Sequence, residues 1–120
     1  MNRRVLAAVE DIFFAAKIRA AAESVGVAVA FPRSDRAFSE SAAADAPDLI
    51  VCDLQSMRHD PFALAATLKA DERLRDVPLV GFFSHVETEL KRRAEAAGFD
   101  RVLPRSAFSQ RLGDILLGEF

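Results

Sequence analysis

A chain of 120 residues, 51% hydrophobic and 28% charged, has the length of one domain and the composition of a globular protein. Its net charge of −2, with the signs interspersed, leaves no basic footprint and argues against direct binding of nucleic acid. A single cysteine, Cys52, excludes an internal disulfide and a thiol-rich metal site, and no run approaches the ~20 apolar residues that cross a bilayer.

The opening MNRRVLAAVED has a basic start, but its apolar run ends at Glu10, too soon for a cleavable signal. The expectation is a cytoplasmic chain with no membrane partner, one domain over 1–120 and no output domain. Arg3 to Val9 reads as a buried strand, followed by Phe14, Ile18, Ala21, Ala22 and Val25 at helical spacing. Gly26 ends that helix, and Val27 to Phe31 is a second strand. Ser34 is positioned as the N-cap of a helix carrying Phe38 and Ala42, and Pro47 halts the chain before the next strand.

Leu49 to Asp53 (LIVCD) is a continuous apolar run ending in a carboxylate, the pattern of a central strand covered on both faces. Asp60-Pro61 opens a third helix with an acid as cap and proline in the first turn. Val77 to Phe83 is the fourth strand. Val86 to Gly98 is a helix with Glu87/Lys91 and Glu89/Arg93 spaced four apart, worth ~0.3 kcal/mol each as pairs. Phe99 to Leu103 is the fifth strand, and Phe108, Leu112, Ile115 and Leu116 mark the inward stripe of one final helix.

Five β–α units with short connections predict a parallel sheet with helices on both faces. Ligands of such folds bind outside the carboxyl ends of the strands. Val9 to Asp11, Asp53 to Gln55, Phe83 to His85 and Leu103 to Arg105 are therefore the candidate site.

DLIVCDL (Asp48 to Leu54), VPLVGFFSH (Val77 to His85) and AAGFDRVLPRSAF (Ala96 to Phe108) together resemble the receiver domains of bacterial response regulators, along nearly the whole chain. The resemblance implies a CheY-like, flavodoxin-like three-layer α/β sandwich with a five-stranded parallel sheet in the order 2-1-3-4-5. It implies that Asp53 is the phospho-acceptor. It also implies Mg²⁺ held by an acidic pair, by Asp53 and by the backbone carbonyl of Gln55. Two registers give the pair as Val9-Glu10 or Glu10-Asp11, so Glu10 and Asp11 are the ligand candidates. Ser84 and Arg105 become the candidates for contact with the phosphoryl group.

The signature departs from the family's at several positions. Phe83 stands where a Thr or Ser belongs, with Ser84 one residue late; Arg105 replaces a lysine; Ser106 replaces a proline; and Val102 stands at the switch aromatic. Arginine keeps the charge with a different shape and reach. These departures imply an atypical or pseudo-receiver, no enzyme, with weak or absent phosphorylation of Asp53. It would act through contact with a protein partner, a histidine kinase or a downstream signalling protein. The resemblance places the contact face on helix four, strand five and helix five, where Lys91, Arg92 and Arg93 cluster and a homodimer could form.

Each candidate also has a plainer reading. Glu10 and Asp11 could complement the helix macrodipole, Ser84 could cap the helix starting at Val86, and Arg105 could be a surface arginine or a partner of Asp53. Cys52 reads as a small core residue, His59 and Asp60 lack partners at ligand spacing, and Phe13 or Phe83 is a candidate interface ring. The alternative from another class is a small nucleotide- or flavin-binding enzyme on a flavodoxin-like scaffold. Against it stands Val9-Glu10-Asp11-Ile12, an acidic turn without the glycines that let backbone N–H groups approach a phosphate.

Overall fold

The computed structural model describes residues 3–120; Met1 and Asn2, at the head of the basic N-terminal stretch, lie outside the described residues. Strands β1 (Arg4–Ala8), β2 (Ala28–Ala30), β3 (Leu49–Asp53), β4 (Leu79–Phe83) and β5 (Arg101–Pro104) form one parallel sheet in the order β2-β1-β3-β4-β5. Helices α1 (Ile12–Val25), α2 (Asp35–Ala44), α3 (Pro61–Lys69), α4 (Thr88–Ala97), α5 (Arg105–Gln110) and α6 (Leu112–Leu116) cover it. This is the flavodoxin-like, CheY-like architecture. No helix among the described residues is long and apolar enough to cross a membrane.

Strand periodicity divides the core into two halves. Val5, Ala7 and Val9 turn to the face covered by α1, α5 and α6, while Leu6 and Ala8 turn to the face covered by α2, α3 and α4. β3 repeats the split, with Leu49 and Val51 on one side and Ile50 and Cys52 on the other. Both faces are buried, which is why these strands read as unbroken apolar runs. Cys52 is buried in this core, and burial pushes its thiol up to about 12, which keeps it protonated and unreactive.

The helix ends follow their capping residues. Ser34 accepts from the Ala37 N–H and Asp60 from the Ala63 N–H, as their sequence contexts require. Gly26 closes α1 at φ 75°, in the left-handed region that glycine enters without a Cβ penalty.

Three expectations are corrected. The fourth helix begins at Thr88, with Glu87 extended at φ −133° and ψ 109°, so Ser84 is not its cap and Glu87 is outside the helix that would pair it with Lys91. Glu89 pairs with Arg92 at 3.7 Å instead of Arg93, whose guanidinium lies 4.1 Å from the Phe62 ring centroid. The final helix is two helices, interrupted at Arg111 (φ −109°, ψ 17°) between Ser109 and Gly113, residues of low helix propensity. Its four expected inward residues are buried nonetheless. Strands β1, β2 and β4 are also shorter than the runs expected for them and β5 is shifted to Arg101–Pro104, while β3 matches Leu49–Asp53; the flanking Val9, Val27 and Phe99 are buried in the core outside the strands.

Candidate functional site

The carboxyl ends of β1, β3, β4 and β5 lie side by side, so their following loops share one edge of the sheet. Asp53 is the last residue of β3 and is half-buried. Its Oδ1 accepts from the Gln55 N–H at 2.9 Å, an Asx-type turn that fixes the carboxylate at the strand end. Burial is the main influence on Asp53 and pushes its pKa above the ordinary carboxylate value. The Gln55 N–H and the Arg105 charge pull it down, and the Glu10 and Asp11 charges push it up.

Glu10 and Asp11 follow β1 and serve different structural ends. Asp11 is the N-cap of α1: its Oδ1 accepts from the Phe13 and Phe14 N–H groups at 2.9 and 3.1 Å. Its Oδ2 accepts from Arg105 at 3.2 Å. These bonds hold its carboxyl below the usual range, the Phe14 N–H first among them. Glu10 reaches instead across to the β3–α3 loop. One of its oxygens, Oε1, accepts from the Ser56 hydroxyl at 2.8 Å, the Met57 N–H at 2.5 Å and the Arg58 N–H at 3.0 Å. The Ser56 bond is the largest influence on Glu10, and its pKa is lowered.

Arg105 opens α5 directly after β5. Its guanidinium lies 4.0 Å from the centroid of Phe14, which packs against Phe82 and Phe108 with centroids 5.0 and 5.9 Å away. From that aromatic seat it donates to Asp11 and, at 3.4 Å, to the Ser84 hydroxyl. Its hydrogen bonds go to these two groups and not to Asp53. Ser84 is exposed, and its N–H donates to Gln55 Oε1 at 2.7 Å.

Glu10 and Asp11 are both near enough to Asp53 for their charges to raise its pKa, and each also has a structural duty. Asp11 is committed to a helix cap and a guanidinium, and Glu10 to a loop. Among the described residues no three His, Cys, Asp or Glu side chains come together so as to hold a metal ion. Mg²⁺ takes one or two protein carboxylates and completes its octahedron with water; the groups that would hold it are Asp53, Glu10 and Asp11, the last through an oxygen now bonded to Arg105.

Two clamps lay outside the reach of the sequence. The Gln55 side chain ties the β3–α3 loop to the β4–α4 loop, accepting from the Ser84 and His85 N–H groups and donating to the His85 carbonyl at 3.0 Å. Asp35, in the first turn of α2, bonds the buried His59 ring at 2.8 Å and accepts from the Asp60 N–H at 3.0 Å. Each joins residues that are 24 or more positions apart, and no local pattern announces them.

No family model matches the sequence, and no curated protein matches it. Solved structures do. The chain is similar to a response regulator from Hahella chejuensis (TM-score 0.88, 18% identity, 99% of this chain and 96% of that one). It is similar to the chemotaxis response regulator CheY4 of Vibrio cholerae (TM-score 0.85, 17% identity, both chains covered in full). It is also similar to the receiver domain of the sensor histidine kinase PA1611 from Pseudomonas aeruginosa PAO1 (TM-score 0.81, 20% identity, 98% of this chain and 99% of that one). That structure carries a magnesium ion coordinated in its active-site cleft. At these identities the likeness shows the fold, which is that of response-regulator receivers.

Proposed function

We propose that this chain is a receiver-type signalling domain of a two-component or phosphorelay pathway, acting by protein–protein contact with Asp53 weakly phosphorylated or not at all. The observation that carries the reading is the placement of Arg105. It spans Asp11 and Ser84, so a protein cation already neutralises the acidic edge where a receiver would recruit Mg²⁺. For Mg²⁺ to bind through Asp11, its Oδ2 would have to give up the Arg105 guanidinium while Oδ1 keeps the α1 cap. Phosphoryl transfer to a carboxylate depends on positioning and on charge stabilisation, and the Asp53 carboxylate has only Arg105 close by to supply it.

Partner contact has a surface to match. Four large apolar side chains stand exposed at this edge of the sheet: Ile12 and Phe13 in the first turn of α1, Met57 in the β3–α3 loop and Val86 in the β4–α4 loop. Phe13, 82% exposed, is the interface ring; Phe83 is half-buried and packs on the core. The α4–β5–α5 face presents the charges of Lys91, Arg92 and Arg101 and none of these side chains. The rim is therefore the favoured surface for a histidine kinase or downstream protein, with the α4–β5–α5 face as the surface for a second copy.

The test is an amide NMR titration with Mg²⁺, then Mg²⁺ with beryllofluoride, on wild type and Asp53→Asn. The expected result is unsaturated, small shifts in both. Saturable shifts at Glu10, Asp53 and Ser84 that disappear in the variant would instead establish a working phospho-receiver.

A further inference from the structure

A second concavity lies on the other side of Glu10. It is a half-open groove of about 500 Å³ between α1 and the loops that follow β2 and β3. Three arginines line it from three separate elements: Arg19 from α1, Arg33 from the β2–α2 loop and Arg58 from the β3–α3 loop. None of the three makes an ion pair among the described residues. The acid in the lining is Glu10, whose Oε1 already accepts three hydrogen bonds. The walls are apolar, with Ile12, Val29 and Phe31, and the Arg19 guanidinium lies 4.7 Å from the Phe31 ring centroid.

We propose that this groove is a binding site for a small phosphorylated ligand carrying a flat ring, of nucleotide size. Guanidinium groups match phosphate oxygens bidentately and stack on planar rings, and three of them converge here on a chain whose net charge is negative. Three guanidinium-bearing side chains outnumber the one carboxylate in the lining, Glu10, whose charge acts on Arg58, so the balance of charge in the groove favours an anion. The apolar wall and the Phe31–Arg19 pair provide what a bare phosphate has no use for, a surface on which a heterocycle lies. The volume falls within the range of small-molecule sites, about 300–1,000 Å³. The glycine-poor turn after β1 does not supply the phosphate donors here, which are the side chains of Arg19 on α1 and of Arg33 and Arg58 on two loops; its acid, Glu10, is the one repulsive group in the lining. The ligand is bound and not transformed: no nucleophile lines the groove. Glu10 and Arg58 belong to the groove and to the loop that follows Asp53, so an occupied groove bears on the candidate signalling edge.

The experiment is an amide NMR titration of the full chain with ADP, GDP and inorganic pyrophosphate, with EDTA present. The expected result is saturable shifts at Val29, Ala30, Phe31, Arg33 and Arg58, with a nucleotide binding about tenfold or more tighter than pyrophosphate. Arg33→Ala/Arg58→Ala weakens that binding about tenfold or more, while Lys91→Ala/Arg92→Ala, basic residues elsewhere, leaves it unchanged. Phe31→Leu removes the advantage of the nucleotide over pyrophosphate. Asp53→Asn still binds, which separates this site from the phosphorylation reading. No saturable shift at the groove, or equal affinity for pyrophosphate and nucleotides, would overturn the proposal. So would a poly-glutamate peptide saturating the groove where the nucleotides do not.

Discussion

Arg105 and Asp11, 94 positions apart in sequence, meet at 3.2 Å across the carboxyl edge of the sheet, and the guanidinium that joins them lies on the ring of Phe14. Both partners of the pair are partly exposed, so the ion pair itself adds little to stability. The stacking on Phe14 contributes about 0.5–1 kcal/mol. Arg105→Ala should therefore lower the urea midpoint only modestly. Its larger effect is electrostatic: the Asp53 carboxyl loses a nearby cation and its pKa rises further. Carbon-detected NMR titration of the side-chain carboxyls reads that rise. The same variant should bind Mg²⁺ more tightly than wild type, because Asp11 is left with its cap alone.

Asp53→Asn should raise the urea midpoint at neutral pH. Burial raises the folded-state pKa of Asp53, so its charge costs stability at every pH above that value. The cost is relieved as pH falls through the folded pKa, and the advantage of the variant shrinks there. Asparagine retains the oxygen that accepts from the Gln55 N–H. Glu10 and Asp11 run the opposite way. Their folded pKa values are lowered, so each contributes stability above its ordinary value, 4.5 and 3.8, that is lost as pH falls through the lowered one. Thermal melts of wild type and variant over the acid range should converge below neutral pH and then fall together.

The end of α1, the starts of α2 and α3 and the identity of β3 were legible in the sequence, because each rests on local chemistry; the sheet order was carried by the family resemblance. Leu49–Asp53 is apolar on both faces, Gly26 takes a left-handed turn, and Ser34 and Asp60 cap the helices that follow them. The edge of the sheet was legible as a list of residues and not as an arrangement. Glu10 and Asp11 are neighbours in sequence, and one of the two readings of the pair, Glu10-Asp11, set them side by side while the other paired Glu10 with Val9. In the fold one turns to the β3–α3 loop and the other to α1 and α5, because different donors compete for each. Arg105 could be read as an anion-binding residue, but its seat on Phe14 depends on the packing of α1 against α5.

Glu10→Ala should loosen the β3–α3 loop without unfolding the domain. Three donors lose one acceptor, but the Met57 and Arg58 amides are exposed and water replaces it. The expected cost is no more than about 1 kcal/mol. The local signature is faster hydrogen exchange at Met57 and Arg58, with the strands unchanged. Glu10→Gln keeps one carbonyl oxygen and should restore much of the protection. If exchange at these amides is the same in all three proteins, the loop is held by something other than Glu10.

Gly81 sits in the middle of β4, where a side chain would ordinarily help a strand. A Cβ built there would lie 2.8 Å from Leu54 Cδ2 and 2.9 Å from its Cγ, inside any real contact distance. Leu54 is buried directly beyond β3, and its N–H donates to the Phe82 carbonyl at 2.9 Å, so its backbone has little room to retreat. Gly81→Ala should therefore cost about 1–3 kcal/mol, as overpacking of a filled core does. Leu54→Ala alone should cost about 2–5 kcal/mol through the cavity it leaves. Because the first substitution fills the space the second vacates, the double variant should be more stable than the sum of the two losses allows. Urea denaturation of all four proteins completes the cycle. Additive losses would mean that β4 accommodates the methyl by shifting away from Leu54, and that the spacing of β3 and β4 next to Asp53 is not set by this contact.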